Sequence, residues 1–410
     1  MNSSQPSLRY LGPGEAYFWL SHQNSAKHFV LAAEISGATS IEAWQSAFAG
    51  VQQRHPLLQH GIDTDDQGLP FFRLLPHAAI PVRVIADSQA RRWEQEVEHE
   101  LSVPIPTRDS LLARFVLLHG PSRSVVLLTL HHAIGDGLSA SYIIRDLLHA
   151  LGGESLAPLS MPQYQEKLLP PQPAAVAEAG LAEVSVPSRL GSLLNRSETL
   201  RVQSLRLSPE LTSRVREYAR MQNATVHGAL VAALTLAGRS RHTPWQDETV
   251  RIVSPVNNRP HIGDGEDCRL SIVFPVGAYA LDTLEDFWSI ARNVVADLAP
   301  FRTPQGLGTI FGGYRQLIAS NPGVHGIAAF ELQMCACEAM LSNLGELPFE
   351  TPVGGLKLEA LWGPAVFVGI EGEQMIGVAT VNGVLHLLHS SYSPIEGLLE
   401  GVQEVLSLVV

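Results

Sequence analysis

His131-His132-Ala133-Ile134-Gly135-Asp136-Gly137 lies between two stretches of different periodicity. On its N-terminal side, Ser124 to Leu130 is a run of apolar and β-branched residues with the pattern of a buried strand. On its C-terminal side, Leu138 to Leu151 places Tyr142, Ile143, Leu147, Leu148 and Leu151 at helical spacing. Two histidines and an aspartate therefore stand where a buried strand ends and a helix begins, a position suited to a site. Neighbouring strand residues point to opposite faces, so His131 and His132 do not readily share one metal. If Val126, Leu128 and Leu130 face one way, His132 follows them, while His131 joins Leu127 and Thr129. The pair divides into a structural and a functional member, and alternation alone leaves open which one faces a cleft. Asp136-Gly137 before Leu138 also has the chemistry of a turn or a helix cap.

Outward from this junction, strands and helices alternate. Thr39-Ser40-Ile41-Glu42 reads as a capping box before Trp44, Phe48 and Val51, and Pro56 stops the pattern. Gly68 to Leu75 and Val82 to Ile85 read as short strands, and Ser88 to Leu101 as an amphipathic helix. From Gly152 to about Arg196 the composition turns to Pro, Ala, Ser and Glu, which marks a crossover between a lobe at 1–151 and a second lobe at 197–410. In that second lobe, Ser208-Pro209-Glu210 and Thr225 open helices. Strands are expected over Thr249 to Val256, Ile272 to Tyr279, Leu332 to Met340 and Leu356 to Leu361. Asn382-Gly383 reads as a two-residue hairpin turn, and Ser393-Pro394 as the opening of a C-terminal helix. The fold class is α/β, with two mixed layers side by side.

Composition narrows the function. The 410 residues are 45% hydrophobic and 17% charged, enough apolar material for sizeable cores. Twenty-eight Lys and Arg against 40 Asp and Glu leave a net charge of -12, which opposes the phosphate neutralisation that nucleic-acid binding requires. Cys268, Cys335 and Cys337 are odd in number and lack C-x-x-C spacing, which argues against a disulfide framework or structural zinc and for a reducing cytoplasm. The N-terminal stretch lacks the order of an export signal, and apolar runs such as Ala229 to Ala237 are about half a membrane span, so a soluble protein is expected. Lys27, Lys167 and Lys357 leave few Schiff-base candidates. Gly306-x-Gly308 fails the dinucleotide fingerprint and reads as a flexible loop, and no G-x-S-x-G elbow occurs. His386 and His389, three apart in a strand, face opposite ways and read as solvated residues rather than a metal pair. Metal is expected nowhere.

The H-H-x-x-x-D-G pattern resembles the active-site signature of the acyltransferase superfamily that includes chloramphenicol acetyltransferase, nonribosomal peptide condensation domains, plant BAHD acyltransferases and bacterial stand-alone enzymes of the phthiocerol dimycocerosyl transferase and alcohol acetyltransferase groups. Arg54-His55-Pro56-Leu57-Leu58, Ser110 to Phe115, Thr225 to Leu234, Pro255 to Pro260 and Ser342-Asn343-Leu344-Gly345 follow in family-like order. The resemblance implies two chloramphenicol acetyltransferase-like lobes forming a pseudo-dimer, with the active site in a tunnel between them. It implies that His132 is the general base, taking a proton from a hydroxyl or amine that attacks an acyl thioester. It further implies that Asp136 is architectural with Arg259 as partner, that Gly137 leaves space beside the tunnel, and that His131 supports the loop. Ser342 or Asn343 could contribute an oxyanion donor. The implied donor is acyl-CoA or a phosphopantetheine-linked acyl group used as substrate, with no bound cofactor.

Departures from the family pattern narrow the subgroup. The plant D-F-G-W-G element has no counterpart, and one chain of this length could supply both lobes of the site itself. Gln59-His60 stand where condensation domains commonly carry an arginine, which favours an alcohol over an amine as acceptor. With no carrier module after Val410, action in trans on an acyl or peptidyl carrier protein, or on coenzyme A, is expected. Arg201, Arg206, Arg214, Arg216 and Arg220 could meet such an acidic carrier or form a solvated face. The rival reading is a silent carrier-protein or acyl-chain binding module of the same fold.

Overall fold

The computed structural model describes residues 8–86, 92–169, 199–246, 249–263, 265–279, 287–334, 337–347, 349 and 352–410. The first half runs β1 (Arg9–Tyr10), α1 (Pro13–His22), β2 (His28–Ser36), α2 (Ile41–Arg54), β3 (His60–Thr64), β4 (Pro70–Leu74), β5 (Val82–Ala86), α3 (Trp93–Ser102), β6 (Ala113–His119), β7 (Arg123–His131) and α4 (Gly137–Leu151). One helical turn, α5 (Gln165–Leu168), leads toward β8 (Arg201–Arg206), α6 (Pro209–Met221), α7 (Val226–Arg241), β9 (Val250–Val253), β10 (Val256–Asn257) and α8 (Arg259–Ile262). The chain continues through β11 (Ile272–Val273), β12 (Val276–Tyr279), α9 (Phe287–Leu298), α10 (Pro304–Ala319) and α11 (Gly323–Met334). It ends with β13 (Ala339–Glu346), β14 (Lys357–Ala365), β15 (Gln374–Val381), β16 (Val384–Ser391) and α12 (Leu398–Val409).

Local chemistry sets many of these boundaries. Ser40, Ser208 and Thr225 each accept a backbone N–H in the first turn of α2, α6 and α7. Asn382 and Gly383 adopt φ of 51° and 73°, the left-handed pair that a two-residue turn between β15 and β16 demands.

The first sheet has the order β14-β2-β7-β6-β5 and the second β12-β9-β13-β15-β16-β8. β7 is therefore interior, and it reads as a near-continuous apolar run because both its faces are covered. Val126, Leu128 and Leu130 join a core with Trp44, Phe48 and Val51 of α2 and Ile143 and Leu147 of α4. Leu127 faces the other way, into a cluster with Val30, Ala32 and Val116. The second sheet packs Ile252, Leu341, Val378 and Leu387 against Leu230 and Leu234 of α7, Ile290 of α9 and Val402 of α12. Burial of each such side chain contributes roughly 1.5–3 kcal/mol.

The C-terminal half lends a strand to the first sheet. β14, from the C-terminal half, pairs antiparallel with β2 through Leu361↔Ala33, Trp362↔Ala32 and Ala365↔Val30, and so completes the first sheet. It then passes β15 at Gly377, where the backbone of Gly363 and Pro364 fills the space that a Cβ would need. Trp362 bridges the sheets in one apolar cluster that includes Val116 and Leu127 of the first and Val202 and Leu388 of the second. A division at 152–196, drawn from composition, does not register this shared strand, and 170–196 lie outside the described residues.

Three expectations are corrected. The Gly306 stretch is helical, because Thr303 caps α10, Pro304 occupies its first turn, and Leu307 and Phe311 are buried one turn apart. Leu332 to Met334 end α11, and the strand starts only at Ala339. His386 and His389 are buried rather than solvated, since β16 is interior between β15 and β8. The His386 ring lies 4.8 Å from that of Trp362, and His389 Nε2 lies 2.9 Å from Gln374 Oε1.

Candidate active site

At the end of β7 the backbone stays in register on both sides. His131 N–H donates to Leu112 O at 2.9 Å, and His132 N–H donates to Lys27 O at 3.0 Å. Strand alternation then sends the two rings apart. His132 lies on the face of Leu128 and Leu130, stacked on Phe18 of α1 at 4.7 Å between centroids and tilted against Phe29 of β2 at 4.5 Å. His131 is fully buried on the opposite face, 4.4 Å from His22, and its Nδ1 accepts the Ala133 N–H at 3.0 Å. Through that bond His131 ties down the loop leaving the strand.

His132 is partly exposed, and its Nδ1 lies 3.2 Å from Gly135 O. A carbonyl oxygen only accepts, so this contact assigns the proton to Nδ1 and leaves the lone pair on Nε2. Among the described residues no group hydrogen-bonds Nε2. Desolvation pushes the ring's pKa down to about 4, opposed by the Asp136 charge and the Gly135 carbonyl and assisted by the Lys27 charge. The imidazole is neutral across the physiological range, with Nε2 free to take a proton.

Asp136 does different work. It caps α4, with Oδ1 accepting the Ser139 N–H at 2.9 Å. Its Oδ2 accepts from Arg259 Nη1 and from the Ser271 N–H, each at 2.9 Å. Arg259 Nη2 continues to Ser139 Oγ at 2.8 Å and to Arg269 O at 3.1 Å. Burial opposes ionisation of Asp136, but the Arg259 guanidinium and the N–H donors outweigh it and hold the carboxyl below its usual range. The pair joins the first half of the chain to the second.

Gly137 opens α4 facing the C-terminal half. A Cβ there would stand 2.6 Å from Leu344 Cδ2 and 3.4 Å from Pro364 Cγ. Ser342 lies opposite Gly377 in the β13–β15 pairing, and Asn343 Oδ1 accepts the Gly345 N–H at 2.9 Å where that register shifts. Among the described residues neither Ser342 nor Asn343 hydrogen-bonds His132. The residue of this segment that reaches Gly137 is Leu344.

Phe18, Phe29 and Lys27, all in contact with His132, were not singled out as site residues by sequence reasoning. The only local signal was the aromatic run Tyr17-Phe18-Trp19. A further imidazole, His227 at the start of α7, lies 2.9 Å from Ser254 Oγ. Arg214 and Arg220 are exposed, and the half-buried Arg216 pairs with Glu346 at 3.0 Å. Among the described residues no group of three or more His, Cys, Asp or Glu could hold a metal ion. None of their helices is long and apolar enough to cross a membrane.

With this geometry in place, the likeness to known proteins is consistent along the chain. Residues 16–168 match the family model of the condensation domain, and residues 196–264 match that of the phthiocerol/phthiodiolone dimycocerosyl transferase C-terminus. Cyclosporin synthetase simA of Tolypocladium inflatum is 27% identical over 284 residues, covering 62% of this chain and 2% of that far longer protein. Polyketide synthase associated protein 5 of Mycobacterium tuberculosis superposes with a TM-score of 0.66 at 18% identity, covering 98% of both chains. Trichothecene 15-O-acetyltransferase of Fusarium sporotrichioides superposes with a TM-score of 0.67 at 14% identity, covering 99% of this chain and 96% of that one. Over residues 16–168 the chain is similar to the condensation domain and over 196–264 to the phthiocerol/phthiodiolone dimycocerosyl transferase C-terminus, and along its length it shares the fold of the two superposed structures.

Proposed function

We propose that the protein moves an acyl group from a thioester of coenzyme A or of a carrier protein to an alcohol, forming an ester, with His132 as general base. The observation that carries this reading is the neutral His132 ring, whose Nδ1 proton is held by Gly135 O and whose Nε2 lone pair is free. Nε2 takes the hydroxyl proton as the oxygen attacks the thioester carbonyl. The tetrahedral oxyanion then collapses, the C–S bond breaks, and the thiol leaves with the proton that the imidazole carried. Such a base contributes about 10²- to 10⁴-fold, and the rest must come from holding the reactants together and from donors to the oxyanion. Ser342 and Asn343 are the candidate donors, on the strand whose Leu344 packs on Gly137. His131, Asp136 and Arg259 hold the loop and helix that present the base.

An alcohol acceptor is supported by the phthiocerol dimycocerosyl transferase match over 196–264 and by the likeness to a 15-O-acetyltransferase. It is also supported by Gln59-His60, where condensation domains commonly have arginine. An amine acceptor is the second reading, favoured by the condensation-domain match over 16–168 and the synthetase relatives. The buried thiols of Cys268 and Cys337 fit a reducing cytoplasm, and natural-product or lipid assembly is the setting we assign. A silent binding module fits less well, because a pure binder has no use for a free imidazole lone pair. Incubation with labelled acyl-CoA and acyl carrier protein thioesters and a panel of alcohols and amines tests this. Ester products support the assignment, amides the second reading, and binding without turnover the silent module.

A further inference from the structure

Lys27 is one of three lysines in the chain and is 5% exposed. Its backbone grips both histidine faces of the site. Its carbonyl accepts the His132 N–H at 3.0 Å, and its N–H donates at 2.9 Å to Nδ1 of His22, the ring that lies against His131. Its side chain turns toward the C-terminal half. Nζ donates to Val368 O at 2.7 Å and stands 3.3 Å from Glu331 Oε1. That carboxylate oxygen also accepts from the Tyr17 hydroxyl at 3.0 Å, one residue before Phe18, whose ring covers His132.

Three distant segments therefore meet on one ammonium: the entry of β2, helix α11 through Glu331, and the loop after β14 through Val368. The loop is pinned independently, because Ser25 Oγ donates to Val368 O at 3.1 Å and the Glu373 carboxylate accepts the N–H groups of Val368, Gly369 and Ile370. Apolar residues could hold the same segments together without the desolvation that a buried ion pair suffers, so its presence calls for a role that charge performs.

We propose that Lys27 is a positioning residue for His132, its ammonium clamping α11 and the Val368 loop onto the strand end that sets the ring. This rests on the reading of His132 as the base. The charged and titratable groups facing the ring are Asp136, His131 and Lys27, and those facing Lys27 are Glu331, Glu373 and His22. The Lys27 charge favours the neutral imidazole, which agrees with the proposal. Closure of the two halves and readiness of the base are thus coupled through one side chain.

The test compares Lys27→Met, Lys27→Arg, Glu331→Gln and His132→Ala. The first readout is kcat and KM for whichever thioester and alcohol the panel shows to be turned over. The second, which needs no substrate, is the titration midpoint of His132 by nitrogen-15 NMR. Lys27→Met is expected to keep KM within a few-fold, to lose about 10- to 100-fold in kcat, and to raise the His132 midpoint by at least about half a pH unit. Lys27→Arg should recover most of the kcat. A Lys27→Met protein with wild-type kcat and an unmoved His132 midpoint overturns the proposal. Should Lys27→Met not fold, Glu331→Gln decides: a loss of about tenfold in kcat supports the clamp, and wild-type kcat overturns it. If His132→Ala is inactive while Lys27→Met is normal, only the clamp fails. If His132→Ala turns over normally, the base reading fails and the clamp with it.

Discussion

Asp136 and Arg259, 123 residues apart in the chain, meet at 2.9 Å with both side chains almost wholly shielded from water. The contact ties the first turn of α4 to the segment after β10, so the helix that follows His132 is held by the other half of the molecule. Removing one charge leaves its partner buried and uncompensated. Asp136→Asn keeps the capping oxygen but loses the ion pair, and it should lower unfolding free energy by about 3–5 kcal/mol as well as activity. Denaturant unfolding at neutral pH checks this, and an Asp136→Asn protein of full stability but no activity would contradict an architectural role.

An ordinary imidazole titrates near 6.5, but burial brings His132 down to about 4. The pH profile of kcat/KM should therefore stay level from neutral pH down to about 5 and fall only toward pH 4. An acid limb with its midpoint near 6.5 would contradict the lowering of the ring's pKa by desolvation.

Stability should also depend on pH. His22, His132, His227, His386 and His389 are each lowered by burial to about 4, and His28 to about 3. A base whose pKa is depressed by folding binds fewer protons folded than unfolded. Its contribution is complete above the unfolded value near 6.5 and is lost as pH falls toward the folded one. Glu166 and Glu373, raised by burial to about 7, act in the opposite sense, contributing most below their unfolded value and losing that contribution as pH rises through 7. The histidines outnumber the two acids, so melting temperature should climb from pH 4.5 to 6.5. Differential scanning fluorimetry across that window reads it, and a flat or falling trend would refute the balance.

Two glycines should respond differently to alanine. At Gly137 the new methyl meets the mobile end of Leu344, so Gly137→Ala should fold near normally and change which acyl or acceptor groups are accepted. At Gly377 the obstruction is the backbone of β14, which cannot step aside, so Gly377→Ala should be insoluble or strongly destabilised. Soluble expression and thermal melting of the two variants separate these outcomes.

What the sequence made legible was local. The strand, loop and helix around His132 follow from periodicity and capping, and the rule that adjacent strand residues diverge anticipated that the two rings would part. Which surroundings each ring met depended on Phe18, Phe29 and His22, which arrive through α1 and the β2 pairing. Arg259 was named from family resemblance, and the ion pair with Asp136 is seen in the structure. The entry of β14 into the first sheet left no periodic trace, because an apolar strand looks the same in either sheet. His386 and His389 looked solvated because nothing in their spacing reveals that β16 is interior. The glycines at 306 and 308 read as a loop on propensity, yet the Thr303 cap and the burial of Leu307 and Phe311 outweighed them.

The central claim concerns one ring nitrogen, and single-turnover acyl transfer by a His132→Ala variant addresses it most directly. The account predicts that transfer to the alcohol slows by about 10²- to 10⁴-fold while the melting temperature stays that of the unaltered protein. Transfer at close to the normal rate by a folded His132→Ala protein would contradict it.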